Sequence, residues 1–387
     1  VGGNAYATSA RSEATAAALA RGENPAVPST IAKYHCTEMG RKAAMDCMDI
    51  LGGKGIILGP RNFAGRSWQA APIAITVEGA ILCPPWVMEE MKSARLADPK
   101  ERIDQFDAAL FGHIGFAISN AVRSWWFGLT GTNIGTAPGD DDTRRYFRKL
   151  NRYSAALAVM ADTSMLLLGG KLKFKESLSG RLGDVLSQLY IASSMLKRHQ
   201  DAGNPVGDQP LLAYAFHDAV NKIETALSGA LRNFPIRPVG WLLWLVIFPW
   251  GRRAQAPSDR LGHKVASLLM TPCDARERLA EGVFTTPTAN NPGGRIVSYL
   301  PKVVMAEPVE RKFLKALKNS DIEALDFDAQ LDEGVREGWI TADERKQLDE
   351  LRAITLDAIM VDDFDPEELR SAGYATLHGR MAARAAA

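Results

Sequence analysis

Cysteine, net charge and long hydrophobic runs are all scarce in this sequence, and each shortage excludes a class of protein. The 387 residues include four cysteines, and 46 Lys and Arg residues against 45 Asp and Glu residues leave a formal net charge of +1. So few cysteines exclude a small disulfide-stapled scaffold. A charge this close to zero lacks the basic footprint of a nucleic-acid-binding protein, so we expect no nucleic-acid partner.

Metal-ligand spacing and targeting signals are also missing. The six histidines form no H-x-x-x-H pair, and no C-x-x-C pair occurs among Cys36, Cys47, Cys83 and Cys273. We therefore expect no metal site, and we expect the thiols of Cys36 and Cys47 to be buried and inert, with no cation beside them. The chain begins VGGNAYATSARS, without an initiator Met and without the regions of a signal peptide. This predicts a fragment or a processed product, and the low cysteine content predicts a reducing, cytosolic environment.

Helical periodicity dominates the rest of the sequence. One stripe of a 3.6-residue repeat contains the apolar residues Ala43, Cys47, Ile50 and Leu51. Gly52 follows as a C-cap glycine would, and a similar stripe covers residues 182–196. The tetrads at 320–323 and 341–344 match capping boxes. Because only residues 73–77 suggest a strand, the sequence predicts an all-α fold.

Polar segments rich in Gly, Pro and Asp interrupt this helical pattern at three places. They lie at residues 95–100, 131–143 and 285–294. Such segments are typical of connections between helices or domains. We therefore expect helices to end and begin there.

The densest group of unusual residues lies between residues 34 and 80. A helix leads into L-G-G-K-G at 51–55, where missing Cβ atoms would let a phosphate or a cofactor approach the backbone. Farther on, a single carboxylate, Glu78, follows an apolar run; such surroundings raise the pKa of a carboxyl toward the range of a general base. The alternative is a plain C-cap and a surface glutamate, and the second L-G-G-K, at 168–171, fits a C-cap.

The most hydrophobic segment, residues 239–253, reads VGWLLWLVIFPWGRR. It is too short to span a bilayer, which needs about 20 apolar residues. Aromatic and cationic residues give this segment the composition of an interfacial membrane anchor. They are Trp241, Trp244, Trp250, Arg252 and Arg253. A buried core helix fits a run of this length equally well, and both interpretations stay open at this point.

The order and spacing of these motifs resemble the C-terminal helical domain of acyl-CoA dehydrogenases. In that family a Q-x-F-G-G-x-G element reaches the FAD pyrophosphate across the dimer interface, and a Glu-Gly loop supplies the catalytic base. The first element reads D-I-L-G-G-K-G here, with Asp49 where the family commonly has Gln and with Gly52, Gly53 and Gly55 on the family glycines. The second reads T-V-E-G-A, which places Glu78 on the base.

Downstream segments extend the resemblance along nearly the whole chain. HIGFAISNAVRSWWFGLT, RLGDVLSQLY and APSDRLGHKVA resemble the long bacterial acyl-CoA dehydrogenases of fatty acid β-oxidation, which carry an extra C-terminal region. The resemblance implies that residues 1–95 are the remainder of the catalytic helical bundle. Residues 96–387 would be an additional α-helical region, with 237–253 as its candidate membrane-docking segment.

The resemblance also implies a reaction, the FAD-dependent dehydrogenation of a fatty acyl-CoA to a trans-2-enoyl-CoA. Glu78 would remove the α proton while the β carbon passes a hydride to the flavin. The implied partners are a fatty acyl-CoA, an electron-transfer flavoprotein and a second subunit of a homodimer. The implied location is the cytoplasm, peripheral on the inner face of the cytoplasmic membrane if residues 237–253 dock there.

Two departures from the family pattern limit this expectation. The opening helical domain and the central β domain are absent from the chain, so we expect it to be inactive alone. The chain continues from E-G-A directly into ILCPPWVMEEM, which predicts that a short helix is deleted after Ala80. Two other functions stay open: a non-catalytic helical module for membrane docking and dimerisation, and an acyl-CoA oxidase.

Overall fold

A computed structural model describes residues 1–57, 62–74, 85–132, 136–288, 291–320 and 326–361, without the side chains of residues 66, 72–74, 85–88 and 141–142. The described residues form fourteen α-helices and three short 3-10 helices. Among them the one β pairing is an isolated antiparallel bridge between Thr288 and Asn291. The prediction of an all-α fold is confirmed.

The helices follow one another through short connections. In chain order they are α1 (Gly2–Ala20), α2 (Ala26–Leu51), α3 (Gly65–Ala74), α4 (Pro85–Ser93), α5 (Pro99–Thr130), α6 (Asp141–Leu168), α7 (Glu176–Asp201), α8 (Gln209–Arg232), α9 (Arg237–Ile247), α10 (Asp259–Leu269), α11 (Asp274–Ala280), α12 (Pro292–Lys318), α13 (Phe327–Arg336) and α14 (Ala342–Ile359).

Local capping signals set several of these boundaries. Asp98 caps α5 by accepting a hydrogen bond from the Lys100 amide, and Asp140 caps α6 by accepting from the Thr143 amide. Thr341 and Glu344 form the predicted capping box at the start of α14. The three polar segments predicted as breaks all coincide with connections between helices, whereas the tetrad at 320–323 extends outside the described residues.

The described residues group into two compact units that alternate along the chain. The first lies within Val1–Cys36 and Thr76–Ser267, and the second lies within Thr37–Ile75 and Leu268–Ala387. The second unit has a small core of its own between α12, α13 and α14, in which Phe313 and Leu331 are fully buried. The domain boundary expected between residues 95 and 96 stays a prediction.

Helix α8 is the centre of the first unit. It packs against α1, α6, α7 and α9, and Phe216, Ile223 and Leu227 on it are fully buried. The facing side of α7 buries Val185, Met195 and Leu196. Burial of one such side chain is worth about 1.5–3 kcal/mol, so these six side chains together stabilise the unit strongly.

A buried carboxylate lies within this apolar packing. Glu224 on α8 has no exposed surface; its Oε1 accepts from the Tyr153 hydroxyl of α6 at 2.7 Å. Its Oε2 accepts from the backbone amides of Arg253 and Ala254, at 3.0 and 2.8 Å. A buried carboxylate is tolerated only when hydrogen bonds replace its hydration, so Glu224 fastens α6 and the segment after α9 to α8.

One described helix, Thr143–Phe174, is long and apolar enough to cross a membrane by length and composition. It comprises α6 and the 3-10 helix that follows. Helix α6 packs against α5 and α7 and buries Leu150, Tyr153 and Met160. Packing in the first unit buries 28% of the apolar window of this helix, so burial accounts for only part of its apolar composition.

The thiols differ from the sequence-based expectation. Cys36, Cys47 and Cys273 are free and half-buried, while Cys83 lies outside the described residues. The Nε of Arg11 donates to the Cys36 Sγ at 3.3 Å. The expectation that no cation lies beside the thiols is therefore wrong for Cys36, because the long side chain of Arg11 on α1 reaches the thiol on α2.

Candidate functional site

The predicted glycine element lies at the C-terminal end of α2. This helix ends at Leu51 and passes directly into a 3-10 helix, Gly52–Ile56. Gly52 has a φ of 62°, in the left-handed region that glycine adopts without a Cβ penalty. The predicted C-cap glycine is thus confirmed.

The first two glycines of the element present open backbone. Gly52 and Gly53 are exposed, and a Cβ added at either would meet no heavy atom of the described residues within 4 Å. A phosphate group can therefore reach their backbone without displacing any side chain that the structure describes. Lys54, in the same turn, is exposed and brings a positive charge to it.

Gly55 serves a different purpose. It is buried, and a Cβ there would lie 3.2 Å from the Met48 Sδ. Its backbone oxygen lies behind the turn, 3.0 Å from the position of a Cβ on Gly65. The absence of a side chain at Gly55 serves close packing, whereas at Gly52 and Gly53 it leaves a surface open.

The residues just before the glycines are more exposed than their periodicity predicts. Asp49 is exposed, and Ile50, expected on the apolar stripe, is 83% exposed. The buried residue of this turn is instead Met48, which contacts Gly55. The prediction that Ile50 lies on the apolar stripe is therefore wrong, because the end of the helix turns Met48, and not Ile50, toward the loop that follows.

Asn62 holds this loop in place, and sequence reasoning missed it. Its Nδ2 donates to the carbonyl oxygens of Gly55 and Ile57, at 2.5 and 2.8 Å. Its Oδ1 accepts from the amides of Ala64 and Gly65, each at 2.9 Å. An Asn shortly before a helix is a recognisable N-cap signal, but its bonds back to the glycine turn could not be read from spacing.

The second L-G-G-K element tests how specific this geometry is. Helix α6 ends at Leu168, Gly169 has a φ of 49°, and a 3-10 helix, Gly169–Phe174, follows. Gly169 and Gly170 are also open to solvent. The two turns are alike, so open glycines fit a flavin pyrophosphate at residues 52–55 but do not assign it.

Glu78 and the proposed deletion after Ala80 lie outside the described residues. The structure therefore gives no distance between the candidate base and the glycine turn. No cluster of His, Cys, Asp and Glu that could hold a metal ion occurs within the described ranges.

The Trp-rich segment has two faces. On α9, Gly240, Leu243 and Ile247 are buried, whereas the outer face is apolar and exposed, with Trp241 at 69%, Leu242 and Leu245 at 62%, and Trp250 beyond the helix at 61%. The two interpretations left open by the sequence thus each describe one face. We call the exposed face, Trp241, Leu242, Leu245 and Trp250, the α9 apolar face.

The other residues of this segment are tied to the protein. Trp244 is half-buried, with its ring centroid 5.4 Å from that of Phe248. Arg252 donates to the Thr225 Oγ1 at 2.9 Å and lies 3.9 Å from Glu224, while Arg253 is exposed. Of the five predicted membrane-contact residues, Trp241, Trp250 and Arg253 are the ones most available to a surface.

Helix α5, which packs against α9, has an exposed apolar side of its own. Its exposed side chains recur on one side of the helix, at Phe111, Ile114, Ile118, Val122 and Trp125. The indole Nε1 of Trp250 donates to the Leu129 carbonyl at 3.2 Å and joins the two helices. Contiguous exposed apolar surface of this kind marks interaction sites.

The role of Asn62 can be tested by Asn62→Ala. The variant removes four hydrogen bonds and leaves the buried Gly55 carbonyl unpaired, so we expect a local cost of about 1–3 kcal/mol. Amide hydrogen exchange in residues 52–57 should accelerate correspondingly. Asn62→Asp, which keeps the two bonds to Oδ1, should be intermediate, and Asn233→Ala, at an exposed helix end, should leave these amides unchanged. Unchanged exchange in Asn62→Ala would contradict the assigned role.

Two family models match the chain, and together they cover most of it. The model described as "Acyl-CoA dehydrogenase, C-terminal domain" matches residues 4–81, and the model described as "Acyl-CoA dehydrogenase, C-terminal, bacterial type" matches residues 81–364. No solved structure matches the chain. The second match alone spans well over half of the sequence. The chain therefore belongs to the acyl-CoA dehydrogenases, a family of oxidoreductases that are in general FAD-dependent flavoproteins.

Proposed function

We propose that this chain is the part of an FAD-dependent acyl-CoA dehydrogenase that supplies the catalytic base and one contact to the flavin. The enzyme would oxidise a fatty acyl-CoA to the trans-2-enoyl-CoA in fatty acid β-oxidation. The observation that carries the proposal is the match of residues 4–81 to the family's C-terminal domain, within which D-I-L-G-G-K-G and T-V-E-G-A occur in family order. The open backbone of Gly52 and Gly53 supports it.

The proposed chemistry divides between the cofactor and the chain. Bound FAD would supply the hydride acceptor that no side chain can provide. Glu78 would take the α proton of the thioester, a weak acid that needs a base with a raised pKa held away from water. The backbone of Gly52 and Gly53 would receive the flavin pyrophosphate, with Lys54 offsetting its charge.

The partners follow from the same proposal. Acyl-CoA dehydrogenases typically form oligomers and act on acyl-CoA; we propose a homodimer and a fatty acyl-CoA substrate. Electrons would leave through an electron-transfer flavoprotein. An acyl-CoA oxidase would instead pass them to oxygen, so the rate at which oxygen reoxidises the reduced enzyme separates the two.

The role of Glu78 is tested by Glu78→Gln in the flavin-loaded enzyme. Because a positioned general base contributes about 10²–10⁴-fold, we expect flavin reduction by acyl-CoA to slow by that factor while flavin and substrate still bind. Stopped-flow flavin absorbance measures the step. Glu89→Gln, at an exposed position on α4, is the matched control and should reduce at the normal rate. Normal bleaching in Glu78→Gln would refute the assignment of the base.

A second function, docking on a membrane surface, is favoured by the α9 apolar face. We propose that Trp241, Leu245 and Trp250 enter the headgroup region of a bilayer, which would place the protein on the inner face of the cytoplasmic membrane. Partly apolar helices with exposed Trp and flanking Arg bind at this depth. A long acyl-CoA substrate makes such a location useful.

Membrane docking is tested by the double variant Trp241→Gln/Leu245→Gln. Both side chains are exposed, so the fold should survive while co-sedimentation with phosphatidylcholine vesicles falls at least fivefold, since each lost apolar side chain removes about 1.5–3 kcal/mol of burial. Val283→Gln/Phe284→Gln alters two equally exposed apolar residues elsewhere and should sediment like the wild type. Equal sedimentation of all three proteins would exclude docking through α9.

A further inference from the structure

A cavity of about 400 Å³ lies in the first unit between α6, α8 and the segment that follows α9. Its polar lining includes Thr132, Lys149, Arg152, His217, Arg253 and Ser258. The volume lies within the range of small-molecule sites, about 300–1,000 Å³. Nothing in the dehydrogenase proposal uses this cavity.

The lining is positively charged. Lys149, Arg152 and Arg253 contribute three cations, and no carboxylate belongs to the part of the lining that the structure describes. The nearby acid, Glu224, lies behind Tyr153 with both oxygens taken by the Tyr153 hydroxyl and by the Arg253 and Ala254 amides. It offsets part of the charge without entering the cavity.

Arg152 is the strongest indication that a ligand belongs there. Only 6% of the residue is exposed. The Nη2 of its guanidinium donates a hydrogen bond to the Ile247 carbonyl at 3.1 Å. Its Nε has no hydrogen-bond partner among the described residues. An unpaired N–H on a buried cation is costly. Because Arg152 belongs to the lining of the cavity, an anion bound there would offset the charge of its guanidinium.

The neighbouring groups respond to the same excess of positive charge. Burial is the largest cause that lowers the pKa of Lys149; the charges of Arg145 and Arg152 also lower it, while the charge of Glu224 raises it. Burial also lowers the pKa of His217, as do the charges of Lys149 and Arg145. His217 is therefore neutral near pH 7, and its ring still offers one N–H donor.

We propose that this cavity is an anion site that binds the phosphate group of a phosphate ester, with Arg152 and Lys149 as its principal ligands. Arg supplies several N–H donors in a fixed fork, which suits phosphate oxygens. Arg253, Ser258 and Thr132 line the same cavity and add charge and hydroxyl donors. The volume leaves room beyond the phosphate for a small alcohol such as glycerol.

The position of the cavity admits two sources for that phosphate. Its lining includes Gly131, two residues beyond the Leu129 carbonyl that accepts from the exposed Trp250. The cavity thus lies beside one end of the α9 apolar face. A soluble phosphate ester and a phospholipid headgroup present the same group to the cations.

Isothermal titration of the full chain with inorganic phosphate and with sn-glycerol 3-phosphate tests the site, and sedimentation with phosphatidylglycerol vesicles tests the lipid source. Lys149→Met keeps the length of the side chain and removes its charge, and Arg253→Gln changes an exposed member of the lining. We expect Lys149→Met to weaken binding at least tenfold and Arg253→Gln to weaken it less. Lys171→Met, an exposed lysine outside the cavity, is the matched control and should bind like the wild type.

Each outcome decides the matter. Binding of either soluble probe that depends on Lys149 supports a site for soluble esters. Binding only to the vesicles, again dependent on Lys149 and retained in Lys171→Met, supports the headgroup. If the wild type binds none of the probes, or if Lys149→Met binds as well as Lys171→Met, the proposal is overturned. The soluble arms do not involve flavin or acyl-CoA, so this result is independent of the dehydrogenase assignment.

Discussion

The buried carboxylate of Glu224 is the interaction on which the first unit depends. It lies in the middle of α8, where it receives the Tyr153 hydroxyl from α6 and two backbone amides from the segment after α9. Without those donors a carboxylate there would carry the full cost of desolvation. With them, it determines where the chain leaves α9, and so it positions both the α9 apolar face and the wall of the basic cavity.

The same arrangement explains why the cavity stays positive. Each oxygen of Glu224 already accepts hydrogen bonds, and Arg252, which lies 3.9 Å from it, donates to Thr225 on α8. Lys149, Arg152 and Arg253 are left facing the cavity. A near-zero total charge therefore conceals a local excess, because charges balance over the whole chain and ligands meet only the few charges around a site.

The sequence predicted most of the local structure and few of the distant contacts. Asp140, Thr341 and Gly52 act over one turn of helix, so their roles at helix ends could be predicted. Asn62 reaches back to Gly55, and Arg11 reaches Cys36 on another helix; spacing alone does not reveal such pairs. The cavity could not be predicted, since its ligands span residues 131–261 and meet only after α6, α8 and α9 have packed. The exposure of Ile50 depended likewise on which face the end of α2 turns inward.

Family membership and packing thus bear on different parts of the chain. The proposed roles of the turn after α2 and of Glu78 rest on the family match, whereas the packing around Glu224 joins α6, α8 and the segment after α9 within the first unit. Hydrogen exchange of the Arg253 and Ala254 amides in wild type and Glu224→Gln tests that packing most directly. We predict that both amides are protected in the wild type and exchange at least tenfold faster in Glu224→Gln. This change corresponds to a loss of about 1.4 kcal/mol or more in the free energy of local opening. Glu176→Gln, at an exposed position, should leave the exchange of both amides unchanged. The account would be contradicted if these amides were unprotected in the wild type, or if they were equally protected in the wild type and in Glu224→Gln.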